Sequence, residues 1–115
     1  LGFHFAHKGS GAPPGRLAER VGATPALLAE FVERDAPTCR LAEPILATVL
    51  RRYADRLSVV QIDVEGSPED AAAFAVTAVP TFVLFVEGDE KMRLVGYQSF
   101  DVLTAALDKA LPPAR

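Results

Sequence analysis

Cysteine is almost missing from this chain: its 115 residues include a single one, Cys39. One cysteine cannot close an internal disulfide, so no disulfide framework staples the fold or reports a compartment. An excess of positive charge is missing as well. Twelve Lys and Arg stand against fifteen Asp and Glu, a net charge of -3, which gives no general electrostatic reason to bind nucleic acid or an anionic membrane. Long apolar runs are also lacking. The longest charge-free stretch, Ala71 to Val86, is too short to span a bilayer and contains Thr77, Pro80 and Thr81. It reads as a short helix end, a turn and a core strand. No basic segment leading into an apolar run and a small-residue cleavage site opens the sequence, so no intact secretory signal is expected. The start at Leu1 leaves open a processed or trimmed piece of something longer. There is no internal repeat.

What is present is ordinary globular material, 50% apolar and 23% charged, enough for one domain with one hydrophobic core. Leu1 to Ala12 carries Phe3, His4, Phe5 and His7 before a Gly-Ser-Gly run, and reads as a short strand or an arm followed by a link. His4 and His7 have no Cys, Asp or Glu close in sequence, so no metal site is expected. Pro13-Pro14 can open a short helix over Arg16 to Val21, with Gly22 ending it.

From Leu27 the pattern is clearer. Leu27, Leu28, Ala29, Phe31 and Val32 form a run of strand length, as in a strand covered on both faces, interrupted by Glu30. After Ala36, apolar residues at Cys39, Ala42, Ile45, Leu46, Val49, Leu50 and Tyr53 recur every three or four positions, which predicts an amphipathic helix of about four turns. Leu57 to Val64 reads as a second buried strand. Ser67-Pro68-Glu69-Asp70 supplies a cap, a first-position proline and an acidic first turn for a short helix. Thr81 to Val86 and Met92 to Val95 form a hairpin about the Glu87-Gly88-Asp89 turn. Ser99 caps a last helix whose Val102, Leu103, Ala106, Leu107 and Leu111 make one face, closed off by Pro112-Pro113. Strand, helix, strand, helix, hairpin, helix is an α/β layer arrangement with a mixed sheet and a right-handed crossover. The rings of Phe74, Phe82 and Phe85 belong to a core rather than to a base-stacking platform.

The segment Ala36-Pro37-Thr38-Cys39 sits where the first strand hands over to the helix. With Pro37 as the first helical residue, Ala36 becomes the N-cap. Alanine is a poor cap, typically about 1 kcal/mol worse than Ser, Thr, Asp or Asn. A thiolate at that position would face unpaired N–H groups and the positive helix end, which lowers thiol pKa values. Pro44, five residues after Cys39, lies inside the helical pattern, where it removes the bond to the Arg40 carbonyl and favours a kink.

The Ala36–Cys39 segment, Pro44, Val79-Pro80-Thr81 at the entry of a strand and Gly96 before the last helix come in an order and spacing that resembles the thioredoxin family, from Leu27 to Leu111. The resemblance implies an α/β thioredoxin fold, with a mixed central sheet of four to five strands flanked by helices. Residues 27–115 would form the thioredoxin-like domain, and residues 1–26 an N-terminal arm, strand and helix, either part of it or flexible. It further implies thiol-disulfide oxidoreductase activity on a protein disulfide or dithiol, supported by an electron-donor reductase, with no cofactor of its own. By resemblance the parent motif is Cys-Pro-Thr-Cys. Ala36 then stands at the position of the missing nucleophile, by engineering or natural loss, and Cys39 is the resolving thiol. Glu30 falls where the family has a buried acid, although aspartate is the habit there. Pro37, Thr38, Val79 and Pro80 would line the substrate-binding surface, with a cis bond before Pro80 that the residues alone do not suggest.

Other readings stay open. Glu30 can instead reach solvent or a lysine, and Cys39 can be a small core hydrophobe. Asp35 replaces the tryptophan usual before the motif, which bears on substrate preference and redox potential. The whole chain can be a redox-silent module that binds a peptide or protein through Ala36, Thr38 and Val79. Neither nucleic acid nor membrane insertion is expected. Cytoplasm is the expected compartment, with an exported or membrane-anchored soluble domain as the alternative.

Overall fold

The computed structural model describes residues 3–6 and 16–113. His7 and Pro13-Pro14, singled out above, lie outside the described residues. Five strands and four helices alternate along these residues: β1 (Phe3–Ala6), α1 (Leu17–Ala23), β2 (Ala26–Val32), α2 (Pro37–Arg52), β3 (Ser58–Asp63), α3 (Pro68–Ala73), β4 (Thr81–Val86), β5 (Asp89–Val95) and α4 (Phe100–Ala110). The sheet order is β1-β3-β2-β4-β5. β3 runs parallel to both β1 and β2, β4 is antiparallel to β2, and β5 is antiparallel to β4.

Strand β2 is central and buried along its whole length, which explains why its sequence is a run rather than an alternation. Its two faces still serve different cores. Ala26 and Leu28 join Ala42, Leu46 and Val49 of α2 and Leu103 and Leu107 of α4 in one cluster. Leu27, Ala29 and Phe31 pack on the other side with Leu17 and Val21 of α1, and Phe74 and Val76 lean against that cluster. Period-two alternation therefore assigns Glu30 to the α2 face.

Several boundaries differ from the sequence expectation. Gly22 does not end α1; the helix runs on to Ala23, and Thr24 takes an extended conformation (φ -117°, ψ 125°). Thr24 precedes Pro25, and a residue before proline is driven out of the helical region. Ser67 occupies the N-cap of α3, but its side chain makes no capping bond. The turn is closed by its carbonyl, which accepts from the Asp70 and Ala71 N–H groups. Val102 is 48% exposed and does not belong to the inner face of α4, whereas Thr104 is buried. Thr104 Oγ1 donates to the Phe100 carbonyl at 2.9 Å, which removes the penalty of burying its hydroxyl. Strand β5 begins at Asp89, earlier than its apolar residues suggest, and a register shift lies opposite Leu84 and Phe85. Glu87 and Gly88, both at positive φ, make the two-residue turn of the hairpin.

Candidate active site

The site is assembled where β2 ends and α2 begins. Loop 33–36 closes with the Ala36 N–H donating to the Glu33 carbonyl at 3.0 Å. Ala36 is the N-cap of α2 (φ -70°, ψ 126°), Pro37 follows as the first helical residue, and no side chain caps the end. The Ala36 carbonyl accepts from the N–H groups of Cys39 and Arg40, both at 3.1 Å. Pro37 and Thr38 are exposed and Ala36 is half-buried. Cys39 is only 4% exposed. Arg40 makes a long, solvent-exposed ion pair with Asp35 at 3.9 Å. Helix α2 continues to Arg52 with Pro44 inside it.

Beneath α2 the sheet carries an acid. Glu30 is completely buried, which rules out the reading in which it reaches solvent or a lysine. In register it lies beside Gln61 of β3 on one side and Phe82 of β4 on the other. Gln61 Nε2 donates to Glu30 Oε1 at 2.7 Å, and Oε2 has no partner. Burial drives the Glu30 carboxyl from an ordinary 4.5 up to about 7, the Gln61 hydrogen bond opposes that rise, and the charge of Glu43 adds to it. The Cys39 thiol is pushed above its ordinary value, first by burial and then by the charges of Glu30, Glu33 and Glu43, against a backbone hydrogen bond at Glu33.

The peptide bond between Val79 and Pro80 is cis. Thr81 pairs with Phe31, so the first residues of β4 and the two before them lie alongside the end of β2 and the loop leading into α2. The Pro80 carbonyl accepts from the Gly96 N–H at 2.7 Å, and Thr81 Oγ1 donates to the Ala78 carbonyl at 2.6 Å. Among the described residues, the Val79 backbone groups have no partner. Ala36, Pro37, Thr38, Cys39, Glu30, Val79 and Pro80 therefore lie toward one end of the sheet.

Two residues escaped the sequence reading. Gln61 was legible in principle: it is the polar residue of a buried strand, and alternation from Val59 puts it on the α2 face. Glu43 carried no signal, because it reads as one more charge on the outer side of α2. Among the described residues, no group of three or more His, Cys, Asp or Glu side chains is arranged to hold a metal ion.

The thioredoxin family model matches residues 17–109. The chain belongs to the thioredoxin family. The match takes in α1, which the motifs alone had not reached. A thioredoxin of Alicyclobacillus acidocaldarius subsp. acidocaldarius is 31% identical over 85 residues, 74% of this chain and 81% of that protein. A thioredoxin of Staphylococcus haemolyticus is 32% identical over 73 residues, 64% of this chain and 70% of that protein. Among solved structures, a mutant thioredoxin from Halobacterium salinarum superposes with a TM-score of 0.79 at 25% identity, covering 98% of this chain and 94% of that one. Mitochondrial thioredoxin 3 of Saccharomyces cerevisiae, in its oxidized form, gives 0.73 at 26% identity, covering 81% and 87%. The chain is thus a thioredoxin-like thiol-disulfide oxidoreductase. With Cys39 as its only cysteine, it has the composition of a nucleophile-deficient form. Among the described residues, no helix is long and apolar enough to cross a membrane.

Proposed function

We propose that the end of the sheet around α2 is a thiol-disulfide exchange site in which residue 36 is the place of the attacking thiol and Cys39 resolves. The supporting observation is the start of α2. A helix N-terminus with no side-chain cap and Pro37 at its first position is where a thiolate is stabilised by the positive end of the helix dipole. Cys39, one turn on, is buried with a raised pKa, which suits a thiol that acts only after a partner has reached the site.

In this reading Glu30 accepts the Cys39 proton. A carboxyl near pH 7 is well matched to exchanging protons with a thiol at neutral pH. The unpartnered Val79 backbone, next to the cis bond to Pro80, hydrogen-bonds an extended segment of the partner protein, in the manner of strand addition. The exposed Pro37 and Thr38 border that segment. The partner is a protein disulfide or dithiol, and an electron-donor reductase recharges the site. Cytoplasm, where exchange-active thiols are kept reduced, is the compartment this reading favours.

With alanine at 36 the sequence of steps stops before its first bond. Ala36→Cys is expected to confer dithiol-dependent reduction of a protein disulfide, read as released thiol. An inert variant with a native circular dichroism spectrum contradicts the proposal. The alternative role, a redox-silent module that binds a peptide or protein through Ala36, Thr38 and Val79, draws its support from the free Val79 backbone and the exposed Thr38. It predicts partner binding that survives alkylation of Cys39, and loss of binding on alkylation counts against it.

A further inference from the structure

At the opposite end of β2 from Ala36 lies a groove that the chemistry above does not use. It has two lobes, of about 370 and 240 Å³, which share Pro25, Ala26, Asp55 and Arg56 as a common wall. Its floor is apolar, because Ala26, Val86 and Leu111 are buried members of the core beneath. Pro25, Pro112 and Pro113 stand exposed along its sides, and their rings restrict the backbone there. Two bonds tie the walls together. The Glu87 N–H donates to the Pro25 carbonyl at 2.8 Å, and Arg56 Nη2 donates to the Pro112 carbonyl at 3.2 Å. The groove is therefore formed before anything enters it, as binding clefts usually are.

Its donors are spent and its acceptors are not. The Arg56 and Leu57 N–H groups both go to the Tyr53 carbonyl, that of Leu111 goes to Leu107 and that of Glu87 to Pro25, while the prolines have none to give. The Arg56 guanidinium, the cation in the wall, is engaged as well: besides its bond to Pro112 it lies over the Tyr53 ring, 5.7 Å from the centroid. Asp55 and Glu87 are exposed at the rim. Among the described residues, their carboxylates make no hydrogen bond or ion pair. We propose that this groove docks a basic, extended segment of a partner protein, whose apolar side chains rest on Ala26, Val86 and Leu111 while its Lys or Arg side chains pair with Asp55 and Glu87. Free carboxylates over an acceptor-lined floor favour a cationic partner and repel an acidic one. Two lobes sharing a wall suit a segment with several side chains better than a single small amine. The docking needs neither residue 36 nor Cys39, so it stands apart from the exchange reading.

The test is an NMR titration of the isotope-labelled chain with a blocked pentapeptide alternating lysine and leucine, followed through the backbone amides. Saturable shifts are expected at Ala26, Asp55, Glu87 and Leu111, and none at Thr38 or Cys39. Asp55→Asn and Glu87→Gln, both isosteric changes at exposed positions, should each weaken binding about threefold, and the pair together about tenfold. Glu69→Gln removes the same charge from α3 and should leave the affinity where it was, which separates docking from general attraction to an acidic chain. Added salt should weaken binding to the parent more than to the double variant. Absence of binding overturns the proposal, and so does equal binding of the counterpart peptide with glutamate in place of lysine. Shifts that map to the loop before α2, or an affinity that Asp55→Asn and Glu87→Gln change no more than Glu69→Gln does, overturn it too. Groove shifts that grow with protein concentration in the absence of peptide would assign the groove to a second copy of this chain, against the proposal.

Discussion

Helices α2 and α4 cover the same face of the sheet and share one core, in which Ala42, Leu46 and Val49 meet Leu103 and Leu107. They are also tied at their far ends, where the buried Tyr53 hydroxyl donates to Asp108 Oδ1 at 2.6 Å. Their first turns differ. Ser99 Oγ accepts from the Val102 N–H at 3.2 Å and closes the start of α4, while the Ala36 side chain offers the start of α2 no cap. Beneath α4 the core is apolar, whereas a buried acid lies under α2. One helix is finished for stability. The other is left with an open N-terminus over a titratable group, the arrangement that thiol chemistry needs and stability alone does not.

The largest way to break this contrast is chemical. Ala36→Cys should convert a chain without exchange activity into one that reduces a protein disulfide, whereas Ser99→Cys at the capped helix should not, although it also gives the chain a second cysteine. The next effect is on stability against pH. Glu30 has a folded-state pKa of about 7, raised from 4.5, so the folded state holds its proton more tightly than the unfolded chain does. Its contribution is fully present below pH 4.5 and is lost as pH rises through about 7. The full span corresponds to about 3 kcal/mol. Urea denaturation at pH 5 and pH 9 should show that fall in the parent, and Glu30→Gln should largely abolish it.

A third helix extends the comparison. At the start of α1 the Leu17 N–H donates to Asp70 Oδ1 of α3 at 3.2 Å, a buried cap supplied from another element. Asp70→Ala should cost about 2 kcal/mol in denaturant unfolding, since it strands a buried donor. The smallest pair addresses the contrast itself. Ser99→Ala should cost about 1 kcal/mol and Ala36→Ser should gain up to about as much. Equal and opposite changes in the urea midpoint would confirm that the two helix starts differ chiefly in their caps. No gain at 36 would mean that the loop hydrogen bond from Ala36 to Glu33 already holds that end.

Much of this was legible in the sequence because local chemistry and the fold agree. Pro37, Ser99 and the Glu87-Gly88 turn each carry a local signal that the structure honours. Glu30 stood out as the one charge in a buried run. What was hidden depended on partners distant in sequence. Gln61 matters because parallel pairing sets it beside Glu30, and Asp70 because α3 folds back onto α1. Neither contact has a local pattern. Val102 misled because helical spacing alone cannot say how wide the buried stripe of α4 is, and the neighbouring Thr104 satisfies its hydroxyl within the helix and can go inside. The cis bond at Pro80 came from family resemblance, since the residues around it read equally well as trans.

The central claim is that residue 36 stands where a thiol is activated and Cys39 where one is held back. Measuring alkylation rate against pH for both thiols of Ala36→Cys tests it most directly. The account predicts that the introduced thiol titrates below the ordinary value of about 8.5 and that Cys39 titrates above it. An introduced thiol titrating at or above that value, or later than Cys39, would contradict it.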